Sequence, residues 1–128
     1  MNVFARLSAS PPDRNQISFT FDGGITFDGV IPGRPDDVLG VGFSYSRISP
    51  SLSALDRDTL RAGTYTLVQD YEALIEFSYR AQIVPGWTIQ PDVQYMWHPG
   101  GHVPINSAPG APAIPSATIV GVRTAINY

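Results

Sequence analysis

Cysteine is missing from the 128-residue chain, which excludes a disulfide scaffold, a thiolate zinc site and a thiol nucleophile. Charge is scarce as well. Charged residues make up 15% of the sequence, against about 25% in an ordinary soluble domain. The 8 Lys+Arg are outnumbered by 11 Asp+Glu and form no basic run, so no nucleic-acid partner is expected. No stretch reaches the ~18 consecutive apolar residues of a membrane-spanning helix. The opening Met1-Asn2-Val3-Phe4-Ala5-Arg6 is not a basic segment leading into an apolar one, so an intact secretory precursor is not expected. G-x-S-x-G, H-E-x-x-H and P-loop patterns are all lacking, and with them any nucleophile–base or phosphate-binding signature. An enzyme is therefore not expected, nor a cofactor. Gly and Pro, at 12 each, stay below the level of low-complexity disorder. The length suits one domain at most.

What the sequence does have is a period of two. From Tyr71 to Ile83 the apolar positions are Tyr71, Ala73, Ile75, Phe77, Tyr79, Ala81 and Ile83. Between them stand Glu72, Leu74, Glu76, Ser78, Arg80 and Gln82, with Leu74 the one break. On a helix these apolar residues would spread around the cylinder; on a strand they share a face. Trp87, Ile89, Pro91, Val93, Tyr95 and Trp97 repeat the pattern against Thr88, Gln90, Asp92, Gln94 and Met96. Pro85-Gly86 lies between the two runs as a tight turn. The alternation predicts six strands, at 2–10, 16–30, 38–48, 70–84, 87–97 and 117–128, and almost no helix beyond a turn around 54–58. Pro91 removes a ladder donor in mid-strand and predicts a bulge or local weakness there.

Connections alternate in length. Pro32 to Asp37 and Pro85-Gly86 are compact, whereas 49–69 and 98–116 are long. Counted back from the C-terminus, the long links fall at one end of the strands and the short ones at the other, as in transmembrane β-barrels. The strands are longer than the ~5–6 residues usual in soluble proteins and approach the ~9–11 that cross a bilayer. Trp87 and Trp97 share a face at opposite ends of one strand. At ~3.3 Å per residue and ~40° tilt they stand about 25 Å apart along the membrane normal, the height of an outer-membrane apolar band. Tyr71, Tyr45 and Tyr95 join Trp97 at one rim of that band; Phe27 and Tyr128 join Trp87 at the other. The alternative is a soluble β-sandwich, a lectin-like carbohydrate-binding module with Trp87, Tyr95 and Trp97 as core.

On the polar face, folding the chain about Pro85-Gly86 sets Ile83 opposite Trp87, Arg80 opposite Gln90, Ser78 opposite Asp92 and Glu76 opposite Gln94. Arg80 is then diagonal to Asp92. Together Arg6, Asp22, Glu72, Glu76, Arg80, Asp92, Gln94 and Arg123 are the candidate pore-lining residues. Such a wall suits water and neutral polar solutes; the bland reading is an ordinary solvated sheet face. His98 and His102 are four apart, but Pro99-Gly100-Gly101 forbids the helix that would align them, so two solvated histidines are expected and no metal site is assigned. Asp56-Arg57-Asp58 reads as a solvated charge cluster.

These stretches resemble the carbohydrate-selective porins of Gram-negative outer membranes, the OprB family. The likeness is carried by Phe4-Ala5-Arg6, Asp13-Arg14-Asn15, Gly29-Val30-Ile31-Pro32-Gly33-Arg34-Pro35-Asp36-Asp37, Leu55-Asp56-Arg57-Asp58, Gln90-Pro91-Asp92-Val93-Gln94-Tyr95 and His98-Pro99-Gly100-Gly101. It covers the chain and matches the C-terminal part of the family. It implies an all-β, antiparallel up-and-down transmembrane β-barrel, of which these are six of about sixteen strands. It implies passive passage of carbohydrate solutes, an outer-membrane location and contact with outer-membrane lipid. Arg6, Arg80 and Arg123 become candidate lumen arginines. Tyr128, with Ile126, Thr124, Val122 and Val120 before it, resembles the aromatic-ended strand that barrel-assembly machinery reads. Six strands cannot enclose a sugar-sized pore, since eight leave room only for side chains or one small ligand. The expectation is a C-terminal fragment or truncated reading frame that conducts nothing alone.

Overall fold

The computed structural model describes residues 1–127. Alternating side chains and tight turns build a single antiparallel sheet: β1 (Asn2–Ala9), β2 (Ile17–Asp28), β3 (Val38–Ile48), β4 (Tyr71–Val84), β5 (Trp87–Trp97) and β6 (Ala117–Ile126). Spatial order equals chain order, β1 to β6. One helix, α1 (Pro50–Arg61), interrupts the connection from β3 to β4. It is longer than the single turn expected from sequence. Its start follows from local chemistry: Ser49 is the N-cap and accepts a hydrogen bond from the Ser51 N–H at 3.3 Å, and Pro50 is the first helical residue.

Cross-strand partners share a face of the sheet. The pairs Arg6↔Asp22, Asp22↔Ser44, Ser46↔Glu72, Glu76↔Gln94 and Gln90↔Arg123 lie on the polar face. Phe21↔Tyr45, Val41↔Phe77, Phe77↔Val93 and Val93↔Val120 lie on the apolar one. The hairpin register has Ser78↔Asp92 and Glu76↔Gln94 as the turn predicts. Nearer the turn it slips: Val84, not Ile83, is opposite Trp87, because an irregularity falls between Gln82 and Val84. No bulge forms at Pro91. There the ladder with β4 passes from Ser78↔Asp92 to Ala81↔Ile89, while Pro91 still pairs with Val122 on β6. The missing N–H weakens one side of the strand without changing its register.

The sheet has no interior of its own. Among the described residues, the buried apolar ones are Ile48, Ala73 and Ala111. Large apolar side chains stay open instead, with Trp87 36% and Val122 72% exposed. A sandwich needs a second sheet over this face, and the six strands form one. The lectin-like sandwich, with Trp87, Tyr95 and Trp97 as core, is thus corrected.

Candidate functional site

The polar face is where the charged residues of the strands meet. The Arg6 guanidinium donates to the Asp22 carboxylate at 2.8 Å and 3.1 Å, and the Ser44 hydroxyl donates to the other Asp22 oxygen at 2.8 Å. One carboxylate thus ties β1, β2 and β3 together. Two strands on, Gln94 donates to Glu76 at 2.6 Å. Gly121 makes room for Asp92: a Cβ there would stand 2.6 Å from the Asp92 carboxylate. Glu72, at the start of β4, accepts from the Gly100 N–H at 2.6 Å. Arg80 pairs in register with Val38, and no ion pair joins it to Asp92. Of the eight residues singled out from sequence, Arg6 with Asp22 and Glu76 with Gln94 are therefore brought into contact. Glu72, Arg80, Asp92 and Arg123 share their face, and no hydrogen bond or ion pair joins any two of them.

On the apolar face the Tyr and Trp rings gather toward the strand ends, while Phe21 and Phe43, with centroids 6.1 Å apart, meet in mid-strand. Tyr45 stacks on Tyr71 with centroids 5.5 Å apart, Phe19 lies 6.5 Å from Tyr45, and Tyr95 meets Trp97 edge-on at 4.7 Å. These last rings all belong to the end bearing the long connections. At the opposite end the Trp87 indole N–H donates to the Thr124 hydroxyl at 3.0 Å. Tyr128 lies outside the described residues.

Each end carries a polar fastening that the sequence reading did not identify. At the short-turn end Asp37 is 2% exposed. Arg34 grips its carboxylate through Nε and, at 3.2 Å, Nη2; the Tyr79 hydroxyl donates to it, as does the Gln82 N–H at 2.9 Å. The Arg34 hydrogen bonds hold the Asp37 carboxyl well below the usual carboxylate range, against the opposing pull of burial and with help from Tyr79 and Gln82. At the other end Ser49, fully buried, donates to the Pro12 carbonyl, and its N–H donates to the Gln16 carbonyl at 2.7 Å. Ser53 donates to the Gln69 carbonyl at 2.6 Å. The Asp70 N–H donates to the Gly101 carbonyl at 3.1 Å.

His98 and His102 are not the two separate solvated residues expected from sequence. Both have positive φ, 45° and 77°, as do Gly100 and Gly101 between them. This left-handed coil, and not a helix, brings the two rings to 4.5 Å. Both Nδ1 atoms face Asp70, at 3.0 Å and 3.4 Å. Burial raises the Asp70 carboxyl, but the Tyr71 N–H and the two imidazoles outweigh it, leaving the group below its ordinary value.

A single antiparallel sheet, polar on one face and apolar on the other, is the pattern that strands of outer-membrane proteins carry. The family of carbohydrate-selective porins, the OprB family, matches residues 1–128, and the chain belongs to it. Porin B of Pseudomonas aeruginosa is 23% identical over 116 residues, which are 84% of this chain and 26% of that protein. The high-pH structure of Pseudomonas putida OprB superposes with a TM-score of 0.78 at 18% identity, over 97% of this chain and 29% of that one. The chain thus spans between a quarter and a third of the length of these relatives.

Proposed function

We propose that this sheet is one stretch of the closed wall of an outer-membrane porin that lets carbohydrate solutes diffuse passively. The observation that carries the reading is the exposure of large apolar side chains along one face of the sheet, Phe77, Val93 and Val122 among them. Both edge strands pair on one side alone, and a long open edge invites further strands. In this reading about sixteen strands close the barrel, and residues 1–128 supply its C-terminal six. Lipid covers Val41, Ile75, Phe77, Val93 and Val122. Tyr71, Tyr95 and Trp97 mark one interface, Trp87 and Tyr128 the other. Arg6, Asp22, Glu72, Glu76, Arg80, Asp92, Gln94 and Arg123 line the water-filled side, where paired charges and amides offer donors and acceptors to sugar hydroxyls. The Tyr128 strand is the end presented to the assembly machinery. Family membership points to a channel and not to an enzyme.

The test compares the two faces in the full-length protein that carries this chain. Neutral sugars should swell liposomes containing it. Ile75→Arg should lower folding stability by about 2–4 kcal/mol if it sits near the bilayer midplane, read as the folded fraction in lipid. Ser78→Arg, on the other face, should fold normally and change sugar flux. Equal loss from both, or no sugar flux in the parent, would overturn the reading.

A further inference from the structure

Asp70, His98 and His102 each offer one ligand atom, and the three lie within 4.8 Å of one another. We propose that they form a binding site for a divalent first-row transition ion, zinc being the reference case. With imidazole nitrogen and carboxylate oxygen at ~2.0–2.1 Å from such an ion, neighbouring ligand atoms stand ~3.0–3.4 Å apart across tetrahedral or octahedral edges. The two imidazole-to-carboxylate separations are 3.0 Å, from His98 to one Asp70 oxygen, and 3.4 Å, from His102 to the other, so the carboxylate can face an ion with either oxygen or both. Donor chemistry fits as well: imidazole and carboxylate suit zinc, nickel and copper.

The ring arrangement is one that a cation can use. Two imidazoles at 4.5 Å both aim Nδ1 at one carboxylate. In the Nδ1–H tautomer each ring donates to its own carboxylate oxygen. In the other tautomer two nitrogen lone pairs and the carboxylate converge, and a single divalent ion accepts all three. Tyr71 packs against the His98 ring at 4.5 Å and holds its orientation. The side chains are 30%, 38% and 40% exposed for His98, His102 and Asp70, so an ion can reach them and solvent can complete its shell. Asp70 lies just before β4 and both histidines lie in the β5–β6 connection. The ion would therefore bolt that connection to the sheet at the end where Gly100 already meets Glu72. The site does not depend on what the channel passes.

His98 and His102 are the two histidines of these 128 residues, and their signals in the full-length protein are assigned by their loss in the two His→Gln variants. The untagged full-length protein, folded in detergent, is titrated with Zn(II) while imidazole nitrogen resonances are followed. Saturable binding of one ion, with both Nδ1 signals shifting together, is expected. His98→Gln, His102→Gln and Asp70→Asn should each weaken Zn(II) at least ~100-fold, beyond the ~10–100-fold cost of losing an outer partner. Strand content by circular dichroism should be unchanged. Zn(II) should also slow proteolysis of residues 98–116 in the parent and not in the variants. Non-saturable binding, or Nδ1 signals that do not move in the parent, would overturn the proposal whatever the variants do.

Discussion

The two ends of the sheet are fastened in different ways. At the short-turn end one charged side chain does the work: Asp37 collects Arg34, Tyr79 and the Gln82 N–H. At the long-connection end the bonds are many and spread along the chain: neutral ones from Ser49 to Pro12 and Gln16 and from Ser53 to Gln69, and several carboxylates, Asp56, Asp70 and Glu72, each holding a different stretch. A compact turn has few groups to offer, so it needs a strong charge-assisted cluster. Long connections can share the load among carbonyls, hydroxyls and several carboxylates. The difference teaches that loss of one residue should be felt unequally at the two ends.

Replacement of Asp37 should have the largest effect. Asp37→Ala leaves Arg34 and the Tyr79 hydroxyl without their shared acceptor, and the folded fraction in detergent should fall more than for any substitution at the other end. Acid should reproduce part of this. Because the Asp37 carboxyl in the folded state titrates below its ordinary 3.8, its contribution is complete above that pH. It is lost as pH falls below 3.8 through the lower folded-state value. Asp37→Asn should flatten that acid limb of a folding titration. If Asp37→Ala is harmless, the contrast between the ends fails.

Ser49→Ala comes next. It removes the helix cap and leaves the Pro12 carbonyl unpaired, which should cost about 1–3 kcal/mol, measured by denaturant unfolding. A loss equal to that of Asp37→Ala would erase the asymmetry. The smallest contrast lies between two glycines in the left-handed region. Gly86, φ 86°, would place a Cβ 2.6 Å from the Asn127 carbonyl oxygen, whereas Gly63, φ 84°, faces nothing within 4 Å. Gly63→Ala should show the backbone cost alone, ~1–2 kcal/mol. Gly86→Ala should exceed it, seen as the lower midpoint in the same unfolding experiment.

How far the sequence could be read follows the same division. The six strands are legible because alternation is local, and Pro85-Gly86 with the 32–37 run sets their neighbours. The Glu76–Gln94 contact follows from counting back across that turn. The slip to Val84↔Trp87 escapes such counting, since one irregularity shifts the register near the turn. α1 did carry a signal, Ser49-Pro50, though no broad apolar stripe accompanied it. Asp37 was visible only as part of a family run; its burial depends on Tyr79 and Gln82, more than forty residues away. The meeting of His98 and His102 rests on positive φ at two non-glycine residues, which residue spacing does not express.

Each strand bonds only to the one before and the one after it in the chain. Among these six strands none waits for a distant partner, so zippering can advance one hairpin at a time. Contacts of short sequence separation keep the loop-closure entropy of every step low. A meander of this kind can grow while its flanks are still incomplete.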